Sequence, residues 1–80
     1  MKVEIRLFAT LQPYLPAGAH GDGVSLDVPP GATVRDVMES LKIPGGLACL
    51  TVVNGRDADP EQILAPGDEL ALFPPLAGGA

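Results

Sequence analysis

The residues with the clearest chemical potential lie in the last seven positions of the sequence, where two prolines precede two glycines. Pro74 and Pro75 hold the backbone extended, whereas Gly78 and Gly79 lack a β-carbon and can enter passages that exclude other residues. A C-terminal carboxylate is a poor electrophile, but its conversion to an acyl-adenylate supplies a leaving group that a sulfur nucleophile can displace. The segment is therefore suited to carry a carboxylate into the active site of another protein.

Length and composition limit the other functions that this chain can have. Its 80 residues form one domain, and with only three aromatic side chains the core has to be built from aliphatic residues, which leaves little room for a deep pocket. The formal charge of −5, with only five basic residues, argues against nucleic acid and against anionic membranes as partners. It permits docking on a basic protein surface, and it equally fits an acidic surface that only aids solubility.

Side chains that could form a conventional active site are scarce. His20 is the only histidine and lies in a glycine-rich loop, so we expect no catalytic or metal role for it. The single cysteine, Cys49, is interpreted as a small buried residue; it excludes an internal disulfide and favours a cytoplasmic location. Asp57 and Asp59 are interpreted as turn residues. The charged amino terminus predicts no signal peptide, and no apolar stretch approaches transmembrane length.

Alternation and helical spacing predict the elements that position the C-terminal segment. Residues 2–9 alternate charged and apolar side chains, as a half-buried strand does, and Phe8 falls out of phase on the polar face. Thr33 is a good N-cap with Asp36 as a weak capping box, and a helix that ends at Pro44-Gly45-Gly46 is predicted after it. The other expected features are one helical turn within a loop over 10–23, strands at 24–28, 50–53 and 69–73, a hairpin turn at Asn54-Gly55, and one apolar helix face of Val34, Val37, Met38 and Leu41.

This order of elements predicts an α+β fold, a mixed sheet with one main helix packed across it. The first two strands are expected to form an antiparallel pair, but periodicity alone does not fix the order of the strands. We expect residues 1–73 to form the domain and residues 74–80 to form an extended tail.

Several segments together resemble the MoaD/ThiS family of sulfur carriers. Gly-Asp-Glu alone is a weak signal, but its combination with the Phe-Pro-Pro-x-x-Gly-Gly ending is specific, and the resemblance covers almost the whole chain. That ending is closer to the small subunit of molybdopterin synthase than to the thiamine carriers. The segments that carry the resemblance are Val3-x-Ile5-x-Leu7-Phe8-Ala9, Thr33-Val34-x-Asp36-Val37, Val52-Val53-Asn54-Gly55, Leu64-x-Pro66-Gly67-Asp68-Glu69-Leu70 and Leu72-Phe73-Pro74-Pro75-Leu76-Ala77-Gly78-Gly79.

The resemblance implies a β-grasp, ubiquitin-like fold and a function in sulfur transfer. An E1-like adenylating enzyme would use ATP to activate the terminal glycine, and a sulfur donor would convert it into a thiocarboxylate. The tail would then enter the large subunit of molybdopterin synthase, where the sulfur passes to a pterin precursor. Gly79 would be the reacting residue with Gly78 beside it, no cofactor would be bound, and the docking surface would comprise Phe73, Pro74, Pro75, Leu76, Ala77 and Phe8.

The sequence departs from this family at Ala80, because carriers of this type end at the second glycine. Four explanations stay open: a peptidase removes Ala80, the activating enzyme tolerates it, the chain keeps the fold without carrying sulfur, or Ala80 is foreign to the natural chain. Removal and foreign origin are favoured, because a β-carbon would have to fit where glycine is expected.

Two classes of function therefore remain open. The first is a carrier that is not itself a catalyst and becomes part of a sulfurtransferase only in complex; its sulfur could also go to thiamine or cysteine synthesis. The second is a ubiquitin-like modifier or binding module without sulfur transfer.

Overall fold

The computed structural model describes residues 1–43 and 50–74 of the chain. Within these ranges, no helix is long and apolar enough to cross a membrane. The residues outside these ranges include the predicted helix stop at Pro44-Gly45-Gly46, Cys49, and Pro75 with the residues after it. The elements in chain order are β1 (Lys2–Leu7), a 3₁₀ helix (Ala9–Tyr14), β2 (Gly23–Asp27), α1 (Val34–Ser40), β3 (Leu50–Val53), β4 (Arg56–Asp57) and β5 (Glu69–Phe73).

The strands form one mixed sheet of five strands in the order β2-β1-β5-β3-β4. The first and last strands of the sequence, β1 and β5, lie side by side in parallel at its centre, with Ile5 opposite Leu70. The pairs β1–β2, β5–β3 and β3–β4 are antiparallel, so the expected pairing of the first two strands is confirmed. A parallel pair needs a long crossover, and here nearly the whole chain serves as that crossover.

One face of the sheet is buried and carries most of the core. In β1 and β5 alternate residues are buried, because successive side chains in a strand point to opposite faces. Helix α1 contributes Val34 and Val37 to the same core, and Met38 packs at its margin. The buried apolar residues are Val3, Ile5, Leu7, Leu11, Val28, Ala32, Val34, Val37, Leu41, Ile43, Val53, Leu64, Leu70 and Leu72.

Helix α1 begins as predicted and ends earlier than predicted. The Thr33 hydroxyl accepts a bond from the Asp36 backbone N–H (3.2 Å), and the Asp36 carboxylate accepts one from the Thr33 N–H (3.0 Å), which completes a capping box. The last helical residue is Ser40, so the helix has stopped well before Pro44. Lys42 follows with φ of 63°, a left-handed conformation that a helix cannot continue through.

The predicted boundary of the first strand is wrong, because β1 stops at Leu7 rather than continuing to Ala9. Ala9 has φ of 52°, which turns the chain out of the sheet and into the 3₁₀ helix. This helix is the single helical turn that the sequence predicted within the loop, placed slightly earlier. Its Leu11 is buried, so the segment closes one end of the core.

Candidate functional site

The candidate site lies on the outer face of the sheet, where the last strand approaches the C-terminal segment. The ring of Phe8, just after β1, stacks on the ring of Phe73 at the end of β5, with centroids 4.6 Å apart and an interplanar angle of 4°. The Phe8 backbone N–H also donates to the Leu72 carbonyl at 3.3 Å. Both rings are half-buried. The out-of-phase position of Phe8 is thus explained by its contact with Phe73 rather than by burial in the core.

Neighbouring strands extend this aromatic pair into a larger apolar surface. Leu50 of β3 lies opposite Phe73, and Val52 lies opposite Ala71. Leu50 is 55% exposed, which is high for a large apolar side chain in a sheet. We call these outer-face residues the apolar strip: Phe8, Leu50, Val52, Ala71 and Phe73.

The part of the outer face beside the apolar strip is charged. Arg6 lies opposite Ala71 in the sheet, and its Nε donates to Glu69 at 2.9 Å while its Nη1 donates to Asp22 at 3.1 Å. The hydrogen bond and charge of Glu69, and then the charge of Asp22, raise the pKa of Arg6 above its ordinary value. The guanidinium therefore stays charged, and its ion pairs with Glu69 and Asp22 border one side of the apolar strip.

The structure brings together only part of the predicted docking set. Pro74 is half-buried directly after Phe73, so Phe8, Phe73 and Pro74 form one surface at the root of the C-terminal segment. The remaining predicted site residues lie outside the described part of the chain: Pro75, Leu76, Ala77, Gly78 and Gly79, together with Ala80.

Three members of the apolar strip were not predicted from the sequence. Leu50-Thr51-Val52-Val53 is apolar on both faces, and such a run resembles a strand that is buried on both sides. In the structure Thr51 and Val53 face the core, so Leu50 and Val52 face outward. The alternation of Ala71 with buried Leu70 and Leu72 was the only available signal for the third residue.

Other side chains with chemical potential are dispersed. No group of three or more His, Cys, Asp or Glu residues that could hold a metal ion occurs among residues 1–43 and 50–74. His20 is exposed beside the edge strand β2, Asp57 is exposed in β4, and Asp59 accepts a bond from the Glu61 backbone N–H at 2.9 Å. The interpretation as a turn residue is confirmed for Asp59 and is wrong for Asp57, which pairs with Val52 in β4 because the two-residue turn at Asn54-Gly55 ends before it.

Comparison with solved structures identifies the class of fold. SAMP1 from Haloferax volcanii is 33% identical, with a TM-score of 0.76 over 99% of this chain and 100% of that chain. A protein from Pyrococcus furiosus described as molybdopterin converting factor, subunit 1, is 29% identical, with a TM-score of 0.72 over 94% of this chain and 98% of that chain. The fold is the β-grasp of ubiquitin-like proteins, as the sequence predicted.

A complex of subunits 1 and 2 of the molybdopterin-converting factor from Helicobacter pylori also contains a similar chain. That chain is 22% identical, with a TM-score of 0.63 over 99% of this chain and 100% of that chain, and it supports the fold alone. A search of the curated proteins found no match. The sequence matches the ThiS family over residues 5–79, and this chain belongs to that family.

Proposed function

We propose that this protein is a sulfur carrier that serves as the small subunit of a molybdopterin synthase. The observation that carries the proposal is the continuity between the apolar strip and the C-terminal segment. Phe73 connects the two, because it is the last residue of β5 and it precedes Pro74 directly. A partner that covers the apolar strip therefore also receives the segment that leaves it.

The physical argument begins with the rigidity of this starting point. The ring of Phe73 stacks on the ring of Phe8, and Phe73 also pairs with Leu50 of the neighbouring strand β3. Pro74 and Pro75 then restrict the backbone to extended conformations. A segment with a fixed origin and few conformations loses less entropy when it enters a narrow channel.

The proposed chemistry takes place at the carboxylate of Gly79. This carboxylate becomes available when the Gly79–Ala80 bond is hydrolysed. In an E1-like adenylating enzyme, a carboxylate oxygen of Gly79 attacks the α-phosphorus of ATP and pyrophosphate leaves. Hydrosulfide from the sulfur source then adds to the acyl carbon, AMP leaves with the electron pair of the acyl–oxygen bond, and loss of the remaining S–H proton gives the thiocarboxylate. Gly78 and Gly79 suit both active sites because neither carries a β-carbon. ATP is a substrate of the activating enzyme, and this chain binds no cofactor of its own in the proposal.

The proposed partner that receives the thiocarboxylated C-terminal segment is the large subunit of the synthase. The Pyrococcus furiosus relative, which is 29% identical, is described as subunit 1 of a molybdopterin converting factor. An apolar strip bordered by the exposed ion pairs of Arg6 with Glu69 and Asp22 suits a protein interface, which has a dehydrated centre and a polar rim. These points support a large-subunit partner for this chain.

A second function is supported by the SAMP1 relative. A second solved structure of that protein calls it small archaeal modifier protein 1, and it is 34% identical over 94% of this chain. A modifier would use the same activation of Gly79 but would transfer the carboxyl group to an amine on another protein. The two functions therefore differ after adenylation, at the nucleophile that receives the acyl group.

The test compares a chain that ends at Gly79 with the full chain. Each is incubated with the cognate adenylating enzyme, ATP and a sulfur source, and intact masses are recorded. The proposal expects exchange of one oxygen for sulfur in the chain that ends at Gly79, and little change in the full chain unless a peptidase that removes Ala80 is added. Conversion of neither chain would overturn the carrier function.

A second arm separates the two candidate functions. The thiocarboxylated chain is mixed with the large synthase subunit and a pterin precursor, and sulfur transfer to the pterin is measured. A carrier transfers its sulfur and returns to the carboxylate mass. A modifier instead yields a covalent adduct with a protein amine when the cell extract is supplied, and gives no sulfur transfer to the pterin.

A further inference from the structure

Asn54 joins the β3–β4 turn to the start of β5 through three hydrogen bonds. Its Oδ1 accepts from the Glu69 backbone N–H at 2.9 Å, and its backbone N–H donates to the Glu69 carbonyl at 2.8 Å. Its Nδ2 donates to Oδ1 of Asp68 at 2.9 Å. The other carboxylate oxygen of Asp68 accepts from the Ala65 N–H at 2.7 Å, so Asp68 is fixed by its own turn. We call this set of contacts the Asn54 latch.

The residue after Asn54 makes the same side chain chemically unstable. Gly55 has no β-carbon to shield its backbone nitrogen, and Asn54 is the only asparagine in the sequence. Both residues are exposed and both have left-handed backbones, with φ of 51° and 83°, as a two-residue hairpin turn requires. Water therefore reaches this dipeptide. The carboxamide of Asn54 and the backbone nitrogen of Gly55 are also neighbours in the chain.

We infer that Asn54 is a site of spontaneous deamidation and that the latch to Asp68 and Glu69 sets the rate of this reaction. The Gly55 nitrogen forms a bond to the carboxamide carbon of Asn54, and the bond from that carbon to Nδ2 breaks. Ammonia leaves with the proton that Gly55 loses, and a succinimide ring remains. Water then opens the ring at either carbonyl and gives aspartate or isoaspartate, so the reaction needs no reactant other than water.

The latch opposes this reaction because it holds both polar ends of the carboxamide. The side chain has to leave Asp68 and Glu69 before its carbon can turn toward the Gly55 nitrogen. Deamidation therefore proceeds from a locally opened state, and the population of that state depends on the hydrogen bonds of the latch. A hydrogen bond to an ionised carboxylate is stronger than one between neutral groups. Asp68 therefore has a larger effect on the deamidation rate than the backbone of Glu69.

Deamidation prevents the latch from closing again. Aspartate at this position presents a carboxylate to Asp68 where the amide presented a donor, and two carboxylates at this distance repel each other. Isoaspartate also lengthens the backbone of a turn that has room for only two residues. The change affects the Val53 end of β3, whereas the Leu50–Phe73 pair of the apolar strip lies at its other end. The modified chain is therefore expected to lose stability first at the β3–β4 turn.

The first experiment follows the deamidation rate in native protein at neutral pH. Intact mass reports a gain of one unit, and peptide mapping places it at Asn54; isomerisation at Asp22-Gly23 gives no mass change and is not counted. Asp68→Ala is expected to accelerate the mass gain about tenfold. The reason is that losing one charge-assisted hydrogen bond raises the population of the locally opened state by about that factor. Asp68→Asn keeps an oxygen acceptor without its charge and is expected to accelerate the gain less.

The matched control is Asp59→Ala, which also removes a carboxylate that accepts a backbone N–H in a turn but does not touch Asn54. We expect it to deamidate at the wild-type rate. Equal acceleration by Asp59→Ala and Asp68→Ala would show that general destabilisation controls the reaction and would overturn the inference. The absence of any gain at Asn54 in all variants would overturn it as well.

A second experiment does not depend on whether Asp68→Ala folds. Asn54→Asp imitates the product and is expected to lower the melting temperature at neutral pH. Adding Asp68→Asn restores a donor opposite the new carboxylate, with the direction of the hydrogen bond reversed, and is expected to recover most of the loss. An unchanged melting temperature for Asn54→Asp, or no recovery in the double variant, would contradict the latch.

Discussion

The ring of Phe8 lies parallel to the ring of Phe73, with centroids 4.6 Å apart. The two residues are far apart in the sequence, since Phe8 follows the first strand and Phe73 ends the last one. Their contact is possible because β1 and β5 run in parallel at the centre of the sheet and therefore end at the same edge. The stack lies within the range of favourable aromatic pairs. The last residue of β5 before Pro74 is thus held by a side chain from the other end of the sequence.

Replacing Phe73 with alanine is expected to weaken binding of the large synthase subunit at least about tenfold, since a half-exposed aromatic residue at an interface centre is a typical hot spot. The fold should survive, because Phe73 lies outside the buried core. Titration calorimetry and thermal unfolding of the same variant check both statements. The control is Leu72→Ala, which removes a fully buried side chain and is expected to cost about 2–5 kcal/mol of the free energy of unfolding.

Leu50→Asp tests a residue of the apolar strip that the sequence did not reveal. Leu50 is 55% exposed, so a carboxylate there remains hydrated and the melting temperature is expected to change little. In a complex the same carboxylate would be buried without a partner, so binding of the large subunit is expected to be lost. Ile63→Asp is the matched control, because Ile63 is 65% exposed and lies outside the apolar strip. Equal binding by both variants would contradict the assigned surface.

Val37→Asp is expected to unfold the domain. The side chain of Val37 is 1% exposed in the core beneath the sheet, and a buried unpaired charge removes several kcal/mol from a total stability of roughly 5–15 kcal/mol. Far-ultraviolet circular dichroism during heating measures the effect. Arg35→Asp on the exposed face of the same helix should shift the unfolding free energy by only about 1 kcal/mol, because the ion pair with Glu61 becomes a repulsion between two exposed carboxylates that water screens. A cooperative transition at the wild-type temperature for Val37→Asp would refute the core assignment.

Thr33→Ala removes one arm of the capping box at the start of α1. The expected cost is about 1 kcal/mol of unfolding free energy, the usual value for an N-cap that bonds a backbone N–H. Chemical denaturation gives this value directly, and Thr33→Ser should retain most of the stability because it keeps the hydroxyl. A cost as large for serine as for alanine would show that the methyl group of Thr33, and not its hydrogen bond, is responsible.

Local features of the fold could be predicted from the sequence because their causes are local. The Thr33 cap, the alternation in β1 and the Asn54-Gly55 turn each depend on residues within a few positions of one another. The end of α1 was missed because Leu41 continues the apolar helical spacing. In the structure the last helical residue is Ser40, and Lys42 has a left-handed backbone that prevents the helix from continuing. The strand order was inaccessible because periodicity assigns faces to strands but not neighbours.

The apolar strip could be predicted only in part for a related reason. Phe8 and Phe73 are conspicuous in a chain with three aromatic residues, and the family resemblance drew attention to both. Leu50 and Val52 belong to a run that is apolar on both faces, so the sequence does not show which face is exposed. Only the register of β3 against β5, which pairs Leu50 with Phe73, assigns them to the outer face.

The central position of β5 also has a consequence for synthesis of the protein. Leu70 and Leu72 are fully buried between strands that come from both halves of the chain, so no shorter N-terminal fragment can complete the core. Contacts of such long sequence separation form late in folding. Until β5 has left the ribosome, the nascent chain cannot assemble the sheet. The strand that completes the core also carries Ala71 and Phe73 of the apolar strip and leads into Pro74, so the docking surface exists only in a chain whose sheet is complete.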